Sequence, residues 1–458
     1  MSFTAWNDVV SAPAPAPAQA PRAVASARPA VASQEIEDAP AFDGLEQEWN
    51  ALLERSDASV FQSFEWQRTW WRHLGERRAN ARLHLVTVRA EGRLVAIAPF
   101  YVERERVLGM VRLRRLLFIG HRDSDYLDAI VAKGWEEECA GAIAAHLAER
   151  ADLFDVAVLE ETPDGSRVGP LLYEGLLRRG WAASREVEEL CPQTALARSW
   201  EETLARFSLS DRREVRRRLR NMRKEHEVEL EVVPDGEQVA PAMRQFVEMH
   251  QERWSRDGYW GAFADPGLAA FHCDVAGRLS GRGWLFLTFL RVDGRRCAVN
   301  YGFAFRSSAS VYLTGSHAVS PDLARHSPGR TLHALGMQWA IDRGCTLYDF
   351  MRGSEPYKYE LGAVDVPNWT VVAYPRRPRL YRRTHAVHLL LGSVSRRARR
   401  EAHALRVASR NGAPALRAHM LRAVRRAFGD LRHILRRLSR ARRQAPVTAP
   451  SDLAGARR

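Results

Sequence analysis

The sequence is poor in cysteine and lacks long apolar runs. Its five cysteines form no CxxC pair, which argues against a disulfide framework or a zinc knuckle and fits a reducing compartment. The opening MSFTAWNDVVSAPAPAPAQAP has neither the cationic start nor the apolar segment of a secretory signal. No run approaches the roughly 18–20 apolar residues that span a bilayer. We therefore expect a cytoplasmic protein. The cysteines are Cys139, Cys191, Cys273, Cys297 and Cys345.

The positive charge of the chain is concentrated at one end. The 458 residues carry a net charge of +14, but residues 376–458 contain 23 arginines and three acids, so the rest of the chain is mildly acidic. A polyanionic partner indicated by charge is therefore a partner of this tail. Two amphipathic stretches in the tail are typical of helices that bind an anionic membrane surface, which would place the protein at the inner face of the membrane. A flexible charged extension is an equal alternative.

The rest of the chain is predicted to contain a duplicated domain. Residues 1–40 are rich in Ala, Pro and Ser and are expected to be a disordered leader. Two hairpin patterns, LHLVTVRAEGRLVAIAPFYVE and WLFLTFLRVDGRRCAVNYGFAF, turn at Gly92 and Gly294. Each belongs to a unit of helix, hairpin, strand, helix and strand. We place the copies at 41–190 and 195–375, both of α/β (α+β) class with a central, mostly antiparallel sheet.

The segment RHSPGRTLHALGMQWA predicts a helix that begins between two strands. Ser327 is a suitable N-cap, Pro328 suits the first helical position, and Gly344 ends the helix. The strands are predicted in SVYLTGSHAV and CTLYDFM. These residues are sufficient for an ordinary capped helix that binds no ligand.

The same helix start could instead bind a phosphate. The amides of Gly329, Arg330 and Thr331 would be unpaired at the positive end of the helix dipole, and Arg325 and Arg330 add charge. The corresponding helix of the first copy, AKGWEEECAGAIAAHL, has Glu136 and two further acids in its first turn, which would repel a phosphate. The contrast favours a donor site in the second copy and a supporting role for the first.

Six motifs of the second copy carry a family resemblance: LSDRREVRRRLRN (209–221), Arg253-Trp254, GAFADP (261–266), VNYGF (299–303), SPGR (327–330) and YDFMRGSEPYK (348–358). On these residues the copy resembles the GCN-five-related N-acetyltransferase superfamily. More closely, it resembles the tandem-domain bacterial branch with CelD-like (cellulose biosynthesis) and BioF-like acetyltransferase domains, distant relatives of the Fem aminoacyl transferases. In that superfamily an acyl-coenzyme A pyrophosphate lies on a loop of pattern Arg/Gln-x-x-Gly-x-Gly/Ala, where this chain has Arg325-His-Ser-Pro-Gly-Arg330.

The resemblance implies acyl transfer from acyl-coenzyme A, as co-substrate, to an amine or hydroxyl. A base deprotonates the acceptor, and a tyrosine protonates the leaving thiolate. Tyr357 is the tyrosine at the matching position, and Asp349 and Glu355 are the nearest candidates for the base. Arg352 and Lys358 are expected to hold an anionic acceptor or the donor phosphates. Asp349 paired with Arg352 at a strand end is an equal alternative.

Three further features leave alternatives open. His317 is a candidate base, although a solvated loop histidine is the commoner case. The basic helix around 212–224 could bind tRNA, as in a Fem-type transferase, or could be a solvated basic face. His272-Cys273-Asp274 is not expected to bind a metal, because consecutive helical side chains diverge.

The resemblance alone suggests the acceptor and the process. It implies a small-molecule or glycan-precursor acceptor in exopolysaccharide or cell-envelope metabolism. A non-catalytic accessory protein of polysaccharide synthesis remains the third hypothesis.

Overall fold

The structure is a computed structural model that describes residues 29–107, 111–256 and 261–375. The basic tail and most of the expected leader lie outside these residues. Residues 31–36, at the end of the expected leader, are ordered, because they form β1 and pair antiparallel with β2. The elements of the first half are β1 (Val31–Ile36), α1 (Ala39–Asp43), α2 (Glu46–Glu54), α3 (Phe64–Trp70), β2 (Ala81–Ala90), β3 (Arg93–Val107), β4 (Val111–Phe118), β5 (Ile130–Val131), α4 (Glu136–Glu149), β6 (Val156–Pro163), α5 (Val168–Arg178) and β7 (Ala182–Ala195).

The second half repeats much of this order. Its hairpin turns through Asp293 and Gly294, and the first hairpin through Glu91 and Gly92, all four with positive φ as a tight two-residue turn requires. The elements are α6 (Trp200–Ala205), α7 (Leu209–Glu225), β8 (Val228–Val232), α8 (Val239–Arg256), α9 (Pro266–Ser280), β9 (Leu285–Val292), β10 (Arg295–Phe305), β11 (Ser308–Ser316), α10 (Pro321–Ala324), α11 (Pro328–Asp342), β12 (Leu347–Asp349), α12 (Pro356–Glu360) and β13 (Val364–Tyr374).

A single sheet runs through both halves, in the order β1-β2-β3-β4-β6-β13-β7-β12-β11-β10-β9-β8. Two strand pairs are parallel, β4 with β6 and β11 with β12, and the other pairs are antiparallel. The mostly antiparallel α/β fold predicted from the sequence is thereby confirmed. The last strands are exchanged: β13 lies against β6 of the first half, and β7 lies against β12 of the second. Outward from the central pair of β13 and β7, the strands β6, β4, β3, β2 and β1 on one side correspond to β12, β11, β10, β9 and β8 on the other. This symmetry is expected of a duplicated unit.

Two apolar cores hold this sheet. The larger one fills the first half and continues beneath α8 and α9, and the smaller one packs α7 and α11 against the second half. The aromatic run at the start of the first half belongs to the core, because Phe64, Trp70, Trp71 and Leu74 are all buried. No helix among the described ranges is long and apolar enough to cross a bilayer.

Candidate active site

A pocket lies where β11 extends beyond its parallel neighbour. β11 and β12 pair only from Ser308 and Leu347 to Ser310 and Asp349, so no described strand pairs with the rest of β11 on that side. The pocket beside this open edge has a volume of about 330 Å³. It is formed by β10, the end of β11, α8, the start of α11 and α12. The lining residues used below are Arg253, Arg256, Asn300, His317, Ser327, Gly329, Arg330, His333 and Tyr357.

Close packing of α8 on β11 brings two arginines to this pocket. Gly315 permits it, because a Cβ there would lie 2.8 Å from the backbone nitrogen of His250. One turn further along α8, the Arg253 guanidinium donates to the hydroxyl of Thr314. Arg256 donates to the backbone oxygen of Ser316 at 2.6 Å. No carboxylate in the described part of the chain pairs with Arg253, so its charge is available to an anion in the pocket.

His317 is held by a carboxylate at the edge of the pocket. Its Nδ1 is hydrogen-bonded to Glu252 of α8, whose other oxygen accepts from the Ala318 amide at 2.7 Å. The bond to His317 holds the pKa of Glu252 below its usual range. A histidine fixed through Nδ1 by an acid presents Nε2 as a base. No sequence pattern indicates this pair, because Glu252 is 65 residues away from His317.

Tyr357 lies against a buried histidine in the same pocket. Its ring stacks on that of His333 with centroids 5.2 Å apart and an interplanar angle of 27°. The Nδ1 of His333 is 3.2 Å from the Tyr348 hydroxyl, and burial lowers the His333 pKa to about 3, so the imidazole is neutral. Burial also raises the pKa of Tyr357. Its hydroxyl is therefore protonated at neutral pH and has a proton to donate, although burial makes it a weaker acid than an exposed tyrosine.

The polar floor of the pocket includes a buried amide. Asn300 is 1% exposed, and its side-chain amide interacts with the Tyr348 hydroxyl without forming a well-aligned hydrogen bond among the described residues. Asn300 therefore gives the pocket a hydrogen-bond donor.

The start of α11 differs from the sequence prediction. Ser327 precedes the helix, but it adopts a left-handed conformation (φ +52°) and its side chain caps nothing. Its carbonyl instead accepts from the amides of Arg330 at 3.0 Å and Thr331 at 3.2 Å. Of the three amides predicted to be free, two are therefore used within the first turn. The Gly329 amide alone has no partner in the described residues.

The two arginines of this loop are paired with acids. Arg325 donates to Glu225, and Arg330 lies 3.0 Å from Glu360. Arg330 still lines the pocket with Ser327 and Gly329, whereas Arg325 and the buried Thr331 do not. The predicted phosphate loop thus reaches the pocket in part, and the unpaired Arg253 was not among the predicted donor-binding residues.

Asp349 lies away from this pocket, between the two halves. Its carboxylate accepts from Tyr126 at 2.8 Å, Gln193 at 3.1 Å and the Met351 amide at 2.8 Å. It is buried, and burial raises its pKa to about 7. The predicted alternative, a pair with Arg352, is not formed, because the Arg352 guanidinium contacts other acids.

Arg352 and Lys358 have structural contacts in place of the expected substrate contacts. Arg352 is bound by Asp125 and by Glu161, the latter at 2.8 Å, so its charge is already compensated by the first half. Lys358 is buried and donates to the backbone oxygens of Arg352 and Gly353 at 2.9 and 2.8 Å. It also lies 2.9 Å from the exposed Glu355. An ammonium has three donors, so Lys358 has none left for a ligand.

A second pocket, of about 370 Å³, lies in the first half. Asp57, Asp128 and Glu136 line it, and Arg167 at its rim is 3.6 Å from Glu136. Burial raises the pKa of Asp128 to about 6. The second pocket is therefore lined by acids, whereas the pocket beside β11 is lined by arginines.

Comparison with known proteins identifies the second half. Residues 210–359 match the family model described as an acetyltransferase (GNAT) domain. The structure of FemX aligns with a TM-score of 0.53 and 12% identity, covering 73% of this chain and 97% of FemX, which shows a shared fold. A tandem GNAT protein from the clavulanic acid biosynthesis pathway aligns with a TM-score of 0.40, 12% identity and coverage of 75% and 98%. No curated protein sequence matches the chain.

The match of residues 210–359 to a GNAT domain agrees with the resemblance inferred from the sequence. The matched residues include the pocket, from Arg253 to Tyr357. Residues 210–359 are therefore an acetyltransferase (GNAT) domain, and the chain shares the fold of FemX.

Proposed function

We propose that the protein transfers an acyl group from acyl-coenzyme A to an amine or hydroxyl in the pocket beside β11. One observation carries the proposal: an acid, a base and an unpaired cation line the same pocket at the open edge of the parallel strand pair. Tyr357 supplies the acid and His317, held by Glu252, supplies the base. Arg253 supplies the cation.

The steps follow from these positions. His317 Nε2 takes the proton of the acceptor as it attacks the thioester carbonyl, and the Asn300 amide is available to the developing oxyanion. The Tyr357 hydroxyl protonates the departing thiolate. Arg253 and Arg256, with the Gly329 amide at the start of α11, bind the donor phosphates. Asp349 and Glu355, the earlier candidates for the base, are replaced in this proposal by His317.

The experiment has a binding part and a turnover part. Isothermal titration of the full chain with acetyl- and longer acyl-coenzyme A should give one site per chain. His317→Gln should retain donor binding while acyl transfer to an amine acceptor falls about a hundredfold or more. His73→Gln, at another carboxylate-paired histidine, is the matched control. Absence of donor binding by the wild-type chain would refute the proposal.

A second donor class is favoured by the exposed face of α7. Arg213, Arg220, Arg223 and Lys224 are exposed there and form no ion pair among the described residues. They follow one helix face, and the end of this helix contacts the loop before α11. A cationic stripe of this kind suits an RNA backbone. We propose aminoacyl-tRNA as the alternative donor, which salt-sensitive tRNA binding, lost in Arg220→Glu, would support.

The acceptor and the location follow the family resemblance. We propose a glycan precursor or another small cell-envelope molecule as acceptor, in the cytoplasm. The arginine-rich tail at 376–458 would hold the enzyme at an anionic membrane surface. Co-sedimentation of the full chain with liposomes should require anionic lipid, and binding to neutral liposomes alone would contradict this role.

A further inference from the structure

Two histidines and a glutamate meet at the end of α7. Glu225 is the last residue of that helix, His226 follows it, and His326 lies just before α11. One ligand-type atom from each residue lies within 4.8 Å of the other two. We propose that Glu225, His226 and His326 bind a divalent transition-metal ion, with Zn²⁺ the best match to two imidazoles and one carboxylate. This proposal does not depend on the proposed function.

His226 is oriented as metal-binding histidines are. Its Nδ1 is 2.8 Å from a carboxylate oxygen of Asp293, and the other oxygen accepts from the Glu227 amide at 2.9 Å. Asp293 belongs to the tight turn between β9 and β10, which fixes its place. A carboxylate on one ring nitrogen selects the tautomer and leaves the other nitrogen, Nε2, for a metal.

His326 and Glu225 are already close to ligand spacing. The Nε2 of His326 is 3.2 Å from an oxygen of Glu225, and four tetrahedral ligands at about 2.0–2.1 Å from Zn²⁺ are roughly 3.3 Å apart. The His326 side chain is 7% exposed, whereas that of Glu225 is 38% exposed and can rotate. The rings of His226 and His326 lie edge to face, with centroids 5.7 Å apart. A small inward movement would complete the set, with water as the fourth ligand.

Arg325 occupies the side of the cluster that faces solvent. Its guanidinium donates to Glu225, the same carboxylate that the ion would use. A bound metal would therefore displace a like charge, and removing that charge should strengthen metal binding. The cluster is next to Ser327, so an ion would tie the end of α7 to the loop that borders the pocket.

The test is metal binding by the full chain after chelation. Titration calorimetry with Zn²⁺ should give one site per chain, and His226→Gln and His326→Gln should each weaken it at least tenfold. His73→Gln is the matched control: this imidazole is also paired with a carboxylate, Asp274 at 2.9 Å, but lies outside the cluster. It should leave the Zn²⁺ affinity unchanged.

Two further variants separate a built site from surface binding. Asp293→Asn, which removes the support of His226, should weaken Zn²⁺ binding roughly 10–100-fold. Arg325→Gln should strengthen it several-fold. If His326→Gln fails to fold, Glu225→Gln at an exposed side chain gives the same readout. No stoichiometric Zn²⁺ binding, or equal affinity in wild type and the two histidine variants, would overturn the proposal.

Discussion

In the first half of the molecule α4 begins with three glutamates, whereas in the second half α11 begins with Pro-Gly-Arg. Each helix connects the two parallel strands of its half, β4 to β6 and β11 to β12. The pocket near α4 is lined by acids, and the pocket near α11 by Arg253, Arg256 and Arg330. The two halves share a scaffold and differ in the charge that a ligand meets.

The scaffold alone therefore does not make a donor site. A helix start attracts an anion only when its first turn does not already carry acids. In the second half the remaining charge comes from α8, which reaches the pocket because Gly315 permits close packing. The first half contributes acids to the shared region, where Asp125 and Glu161 hold Arg352.

The largest expected effect comes from the proposed acid. Tyr357→Phe removes the hydroxyl and keeps the ring on His333, so kcat should fall about 10²–10³-fold while donor affinity is unchanged. Steady-state kinetics and calorimetry measure the two quantities. Tyr359→Phe is the matched control, because that hydroxyl is exposed and bonded to Asp365 at 2.8 Å. Unchanged turnover in Tyr357→Phe would remove this tyrosine from the mechanism.

The next largest effect is expected when the unpaired Arg253 is removed, because this should weaken donor binding. Arg253→Gln removes a charged donor without leaving a buried carboxylate behind, so the acyl-coenzyme A affinity should drop about tenfold or more. Arg167→Gln removes the arginine at the rim of the acidic pocket and should leave the acyl-coenzyme A affinity unchanged. Calorimetry with acetyl-coenzyme A compares them. An equal loss of acetyl-coenzyme A affinity in both variants would contradict the proposal that the donor binds in the basic pocket and not in the acidic one.

Reversing one charge at α11 should make it more like α4. Arg330→Glu places an acid in the first turn, beside Glu360, and should weaken donor binding roughly three- to tenfold. The reciprocal change, Glu137→Arg at the exposed start of α4, should not affect affinity. Donor binding that is insensitive to Arg330→Glu would show that α11 does not contribute to the anion site.

The stability of the junction between the halves should depend on the protonation of Asp349. Burial raises the pKa of Asp349 from 3.8 to about 7, so between these values the folded chain keeps a proton that the unfolded chain has lost. This group therefore lowers the free energy of unfolding as pH rises, by at most about 1.4 kcal/mol per pH unit. Asp349→Asn should flatten that dependence between pH 4 and 7 in urea titrations. An identical pH profile would contradict the assignment.

The features predicted correctly from the sequence depend on neighbouring residues. Turns at Glu91-Gly92 and Asp293-Gly294 need only a local positive φ, and the limits of α11 follow from Pro328 and Gly344. Helices and strands of this kind can be predicted because the pattern that forms them lies within a few residues.

The features that the sequence did not reveal depend on distant residues. Glu252 reaches His317, 65 residues away, only because α8 lies on β11. Arg352 is held by Asp125 and Glu161, which lie 227 and 191 residues away in the sequence. Ser327 and Lys358 differ from this pattern, because their partners lie within seven residues and depend on the exact backbone conformation of one loop. The exchange of β7 and β13 likewise has no local signature.

The most direct test is hydrogen–deuterium exchange of the full chain with and without acetyl-coenzyme A. We predict that donor binding slows hydrogen–deuterium exchange in peptides covering residues 297–300 and 314–330. Peptides covering residues 126–136 and 163–168, at the acidic pocket, should exchange as before. Protection at the acidic pocket instead of the pocket beside β11 would contradict the central claim.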